Sequence, residues 1–259
     1  MENKYLWNVM RLCDAQLKDV NPHDVLCKGL YRKCRTYHSG GGYDKFPDIY
    51  ISRFGDFVSL DRRDLSSQFV VQLKGCPLRC PYCYVTREGV ETGECVGVST
   101  DKLINDFYKS RCSVFHLMGG APAIYMDKWM DIILGLEDGY IFHSDLLLLE
   151  GEYDKEVVNS ISYSGKNSLF AVSIKGSTCE EFRKNTGVDF NEELFWANFD
   201  IIVESKLDFY LTYTGMSKES IKRFEHKVKS WYGIANADWI LKDSFPIQLV
   251  KYKALGNIS

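Results

Sequence analysis

Nowhere in this chain of 259 residues does an apolar run reach about 18 residues, so the sequence offers no membrane-spanning helix. The first residues, MENKYLWNVMRLCDAQL, mix charge with apolar side chains too early for a signal peptide. An excess of one charge is also missing. The 32 Lys and Arg face 35 Asp and Glu for a net charge of -3, which gives no general argument for nucleic acid or an acidic membrane as partner. Low-complexity tracts and sequence repeats are absent too. Hydrophobic content of 45% and charged content of 26% suit a globular chain long enough for a sizeable core. The expectation is a cytoplasmic protein.

Cysteine is what the chain has in quantity. Nine of them, an odd number without secretory features, argue against a disulfide framework and for metal or redox chemistry. Cys76, Cys80 and Cys83 are crowded into LKGCPLRCPYCYV, with Pro77 and Pro81 each following a cysteine. A residue before proline avoids the helical region, so this loop resists becoming a helix and can point three thiols at one compact object. The prolines cannot donate, whereas the amides of Leu78, Arg79 and Tyr82 can. Structural zinc closes four positions with paired knuckles or added histidine. Here there is no second knuckle, the nearest later histidine is His116, and the five histidines show no ligand spacing. A four-iron cluster on three cysteines, with one iron open to a small molecule, is the better reading. A zinc-binding or otherwise non-catalytic module is the alternative.

From residue 67 onward, apolar segments alternate with helical patterns. QFVVQLKG, CSVFHLMGG, YIFHSDLLLLEG, SLFAVSIKG, LDFYLTYTG and PIQLVKY read as six strands. Thr100 with Asp101 opens one intervening helix, Thr178 with Glu181 has capping-box spacing, and Ile221, Phe224, Val228 and Trp231 share a helix face. Strands apolar on both faces, separated by helices, imply a parallel sheet, either doubly wound or a partial barrel. In both, active groups lie at the C-terminal strand ends. The polar residues there are the cysteine loop, Gly119 and Gly120, Glu150, Ser173 with Lys175, Thr212 to Thr214, and Gln248. Residues 1–66 break the rhythm and read as an N-terminal extension packed on a barrel of residues 67–259. Its KGLYRKCRTYH stretch reads as a solvated helix face with two packed tyrosines, and Cys13, Cys27 and Cys34 as isolated thiols, although a second cluster or a hydrogen-atom donor is open to them. His143 with Asp145 is a candidate proton-transfer pair, with a hydrogen-bonded core histidine as the simpler reading.

The C-x3-C-x2-C spacing just after a first strand, with Tyr82 before the last cysteine, resembles the radical S-adenosylmethionine (radical SAM) superfamily over roughly residues 67–256. The resemblance implies a partial (β/α)6 TIM-like barrel and a [4Fe-4S] cluster on Cys76, Cys80 and Cys83. In the family, SAM chelates the fourth iron, an electron cleaves its sulfonium, and the 5′-deoxyadenosyl radical abstracts hydrogen from a substrate carbon. Met118-Gly119-Gly120-Ala121-Pro122 looks like the family's Gly-Gly-Glu-Pro segment, whose backbone receives the SAM amino group; Ala121 stands where Glu is common. Tyr82 matches the aromatic whose backbone approaches adenine. Ser173 and Lys175 resemble the Asp-x-Lys segment of glycyl-radical-enzyme activases, with Lys175 on the SAM carboxylate. Glu150 stands where relatives carry Thr-Asn-Gly, either on the ribose or capping the next helix. Lys251 to Gly256, with Lys253 in place of histidine, resembles the activase ending. The activases' Gly-Pro-Gly turn is missing from GDFVSLDRRDLSSQF, which retains Asp61, so installing a glycyl radical on a partner ranks behind chemistry on another small-molecule or peptide substrate. The family also implies a flavodoxin- or ferredoxin-type reductant.

Overall fold

The computed structural model describes residues 6–12, 16–17, 20–35, 50, 53–54, 67–83, 85, 90–91 and 93–247. Among these residues the ten strands are β1 (Leu6–Met10), β2 (Val25–Leu26), β3 (Tyr31–Arg35), β4 (Ser67–Gln72), β5 (Cys95–Ser99), β6 (Val114–Met118), β7 (Ile141–Leu146), β8 (Ser168–Ile174), β9 (Phe209–Thr214) and β10 (Phe245–Ile247). The main sheet runs β10-β9-β8-β7-β6-β4-β3-β2. Its six strands β4, β6, β7, β8, β9 and β10 pair in parallel, while β3 and β2 extend the β4 edge antiparallel. Five of the six segments read as strands in the sequence are there, and of the sixth, PIQLVKY, Pro246 and Ile247 lie in β10 while the rest is outside the described residues. The fold is α/β, the expected partial (β/α)6 TIM-like arrangement, with an open sheet.

The α-helices that lie wholly within the described residues are α1 (Thr100–Ser110), α2 (Trp129–Gly135), α3 (Lys155–Ser162), α4 (Cys179–Thr186), α5 (Glu192–Glu204) and α6 (Lys218–Ile240), the last broken at Gly233. Five begin on a side-chain cap that satisfies an otherwise orphaned amide. Ser99, Asp154, Thr178, Asn191 and Ser217 accept from Lys102, Glu156, Glu181, Leu194 and Ser220. Thr178 serves as expected; at α1 the cap is Ser99, one residue earlier than the sequence suggests. The second half of the capping box differs as well, since Glu181 accepts from the Ser177 amide at 2.9 Å. α5 is not announced by the strand–helix rhythm, because FWANFDIIV is apolar on most sides. On α6, Trp231 shares the predicted face but stays half exposed and packs against Trp196 with the rings tilted at 52°, their centroids 4.5 Å apart.

Strands buried on both faces divide the core in two. Outside the sheet, Phe115, Phe142, Phe170 and Leu211 pack with Phe107, Trp129, Phe199 and Phe224 of the helices. On the other face, Val114, Ile141, Leu169, Ala171, Tyr210 and Phe245, drawn from five consecutive strands of the sheet, close into one cluster around Tyr50 and Phe54. A flat sheet could not bring five strands into one contiguous group, so this face is concave.

The N-terminal segment is woven into both ends of that barrel. β1 pairs antiparallel with β5 in a separate two-stranded sheet, and β3 joins β4. The KGLYRKCRTYH stretch is therefore a strand from Tyr31 to Arg35, after a short 3-10 turn at Cys27–Gly29, and not a solvated helix face: Tyr31 is fully buried against Phe69. Between β3 and β4, Tyr50 and Phe54 plug the barrel. Arg53 beside them pairs with Asp208 and Asp243, one and two residues before β9 and β10, so the plug closes the amino ends of the strands. No described helix is long and apolar enough to cross a membrane.

Arg53 is 12% exposed, whereas Arg183 and Asp189 form a pair that is 69% and 80% exposed. Removing one member of the sheltered network strands two carboxylates; an exposed pair contributes little. Arg53→Ala is expected to cost about 2–4 kcal/mol in urea unfolding, and Arg183→Ala under about 0.5 kcal/mol. Equal effects would contradict the plug.

Candidate functional site

The cysteine loop leaves the C-terminal end of β4 and is pinned at several points. The Leu73 amide donates to the Gly119 carbonyl at 3.2 Å and the Ala121 amide to the Gly75 carbonyl at 2.7 Å, which ties the loop to the turn after β6. Lys74 donates to Asn8 at 3.0 Å and Gly75 to Val90 at 3.1 Å. Farther along, the Arg79 amide donates to the Thr186 carbonyl at 2.7 Å at the end of α4. That bond corrects one expectation from sequence, because the Arg79 amide is engaged elsewhere and does not donate to sulfur. The Leu78 amide does reach Cys76, and the Val85 amide reaches Cys83.

Cys76, Cys80 and Cys83 are free thiols, each partly buried. They border two apolar groups, Leu78, Ala121, Leu147 and Phe182 on one side and Met10, Val85 and Val90 on the other. Burial pushes the Cys76 thiol up to about 11 and raises Cys83, against the pull of the backbone amides and of Lys175. The Lys175 ammonium lies 5.6 Å from the Tyr82 ring centroid. Burial and then Cys80 raise the Tyr82 phenol. Thus the structure brings together five predicted residues: the three cysteines, Tyr82 and Lys175.

The donor set discriminates between a single ion and a cluster. Around one zinc, sulfurs about 2.3 Å from the metal lie within about 4 Å of one another. Among the described residues the three sulfurs do not all lie within 4.8 Å of one another; the ligand atoms that do belong to His116, His143 and Asp145. Spread thiols in a partly desolvated apolar cup, with one cation facing them, fit an anionic multinuclear cluster. The residues present therefore suit a [4Fe-4S] group.

Other predicted residues are placed less uniformly. Ser173 Oγ lies 3.4 Å from Thr214 Oγ1 at neighbouring strand ends, and the Thr212 hydroxyl donates to the Val172 carbonyl. Glu150 turns into its own loop: its carboxylate accepts from the amides of Leu147 and Leu149, both at 2.9 Å, and from the Tyr153 hydroxyl at 2.8 Å. It does not cap α3, which Asp154 does. Burial raises Glu150 and these donors oppose it. Gln248, Lys253 and the activase-like ending lie outside the described residues, as do Asp61 and Cys13. Cys27 sits near Asp106 and Lys102, and Cys34 near Arg32 and Asp24, so the two have different neighbours.

What the sequence reading missed is lateral. His116 and His143 occupy paired positions on β6 and β7, with rings 4.2 Å apart. Asp145 approaches His116 at 3.5 Å, and His143 meets the Tyr210 hydroxyl at 2.9 Å. Burial, and then His116, hold His143 well below the usual imidazole range. Asp145 therefore reaches His116, and His143 is a hydrogen-bonded core histidine, the simpler of the two readings of that residue. The signal was available: Phe-His recurs in mid-strand at Phe115-His116 and Phe142-His143.

Gly120 shows why the turn after β6 needs glycine. Its φ is +68°, and an added Cβ would sit 2.1 Å from the Leu73 carbonyl oxygen and 2.6 Å from that of Gly75. Gly165 has a similar φ of +71° but open space around it. Gly120→Ala is expected to cost about 3 kcal/mol or more and to lower iron uptake, because backbone at both ends of the loop must shift. Gly165→Ala should cost about 1 kcal/mol. Thermal unfolding and iron content check both; equal costs would contradict the cradle.

Residues 70–230, more than half of the chain, match the radical SAM superfamily. No curated protein sequence matches. Among solved structures, similarity is found to a histidine-tagged anSMEcpe with bound AdoMet, at 17% identity and a TM-score of 0.47, over 68% of this chain and 48% of that one. A native anSMEcpe with bound AdoMet and a Kp18Cys peptide is similar at 16% identity and a TM-score of 0.46, over 68% and 49%. The chain spans about half the length of these solved structures. With its sheet order, its cysteine loop and the match over residues 70–230, the chain belongs to the radical SAM superfamily.

Proposed function

We propose that the chain is an enzyme that reductively cleaves SAM to a 5′-deoxyadenosyl radical and uses it to abstract hydrogen from an organic substrate in the barrel. The observation that carries this reading is the cysteine loop: three partly buried thiols, not converging on one ion, with Lys175 facing two of them. Cys76, Cys80 and Cys83 would hold a [4Fe-4S] cluster, which supplies the electron for cleavage when reduced by a flavodoxin- or ferredoxin-type partner.

The chain's own residues divide the remaining work. Lys175 offers a point charge to the SAM carboxylate or to the anionic cluster. Tyr82 covers the loop and Lys175 from one side. The turn Gly119–Ala121, already fixed on β4, presents backbone to the SAM amino group. Ser173 and Thr214 offer hydroxyls at the mouth, and Gln248 and Lys253 belong to the same proposed SAM environment. Glu150 contributes by stiffening the loop after β7, since its carboxylate is already saturated by local donors. Below the mouth, the buried side chains of Gln72, His116 and Thr212 give the barrel a polar lining.

Anaerobically reconstituted and reduced, the protein should convert SAM to 5′-deoxyadenosine, and Cys76→Ala should abolish the product. A full cluster without that product would overturn the reading. Lys175→Met should retain iron content while weakening SAM binding about tenfold, equivalent to about 1.4 kcal/mol; unchanged binding would remove Lys175 from the SAM site.

A further inference from the structure

We propose that His116, His143 and Asp145 form a second metal site, for a single divalent transition-metal ion such as Zn2+ or Fe2+, inside the barrel and separate from the cysteine loop. Each of the three residues offers one ligand atom, and these atoms all lie within 4.8 Å of one another. His116 Nε2 and Asp145 Oδ1 are 3.5 Å apart. Two ligands about 2.1 Å from a tetrahedral ion are separated by roughly 3.4 Å, so this pair already has the spacing of a coordination edge. Small rotations of the rings bring in the third ligand.

The surroundings have the chemistry of a metal shell. His116 Nδ1 lies 2.6 Å from Gln68 Oε1, so with the amide oxygen turned to it this nitrogen carries the proton. Nε2 then presents a lone pair to a carboxylate, and two acceptors facing each other at this distance are held together best by a cation. His143 Nε2 meets the Tyr210 hydroxyl at 2.9 Å. A hydrogen bond on the non-ligating nitrogen of each imidazole fixes ring and tautomer, as around metal-bound histidines generally. The two rings are 3% and 0% exposed, and Tyr50 closes edge-on over His143 at 5.8 Å. The ligands are supplied by strands, which place them more firmly than loops do. β6 gives His116 and β7 gives His143 and Asp145, with the two histidines in register.

Imidazole and carboxylate together suit zinc or ferrous iron, and three protein ligands leave a position for water or a substrate oxygen. His116 is three residues before Gly119 on β6, so the site lies roughly 10 Å of strand below that turn. An ion there would fix an oxygen-bearing substrate, such as a carboxylate or hydroxyl compound, in the barrel beneath the cysteine loop.

The test uses the full chain with Cys76, Cys80 and Cys83 changed to alanine, titrated anaerobically with Co2+. One equivalent should bind with visible d–d absorption and without thiolate charge-transfer bands. Adding His116→Gln, or Asp145→Asn should the buried change unfold the chain by circular dichroism, should weaken binding at least tenfold. No binding, binding unaffected by the substitution in a folded chain, or a spectrum dominated by thiolate charge transfer would each overturn the site. In parallel, the cluster-loaded wild-type protein exposed to Zn2+ and desalted should retain about one zinc per chain; retention of none would overturn the site equally. Neither measurement involves SAM, so its result is independent of SAM cleavage.

Discussion

The hydrogen bond from the Ala121 amide to the Gly75 carbonyl, with its companion from Leu73 to Gly119, is the constraint on which the site depends. Two parallel strands end side by side, and the loops that leave them are stitched together before either can wander. Gly120 is the structural consequence, because only hydrogen can stand where its side chain would meet two carbonyl oxygens. The three cysteines begin immediately after this seam. Their loop is fixed again at Thr186 on the far side, so its shape is set by backbone contacts and remains available to whatever the thiols hold.

The barrel below divides by depth. At the amino ends of the strands, Tyr50, Phe54 and the Arg53 network make a closed floor. At mid-height the inward face turns polar, with His116, His143 and Tyr210, where an apolar core would have been easier to build. At the carboxyl ends, Ser173 and Thr214 face each other and Lys175 meets the cysteine loop at Tyr82. The N-terminal segment touches both extremes, the floor through Tyr50, Arg53 and Phe54 and the cysteine loop through Asn8, Val9 and Met10.

Much of this was legible in the sequence because it is local. Six strands apolar on both faces, the Thr178 cap and the crowded cysteines are patterns within a few residues. What could not be read depends on partners distant in the chain. β1 is a strand only because it pairs with β5, and Tyr31 is buried only because β3 lies on β4. Glu150 looked equally able to bind a ribose or cap a helix until its own loop supplied three donors. The facing histidines needed the register of β6 and β7 to bring residues 116 and 143 together, although the repeated Phe-His pair carried a hint.

The central claim is that three thiols hold a cluster with one position left for SAM. The most direct measurement is the paramagnetic resonance spectrum of the anaerobically reconstituted, chemically reduced protein, recorded before and after addition of SAM. The account predicts a cluster signal whose g values move when SAM is added. A cluster signal indifferent to saturating SAM would contradict it.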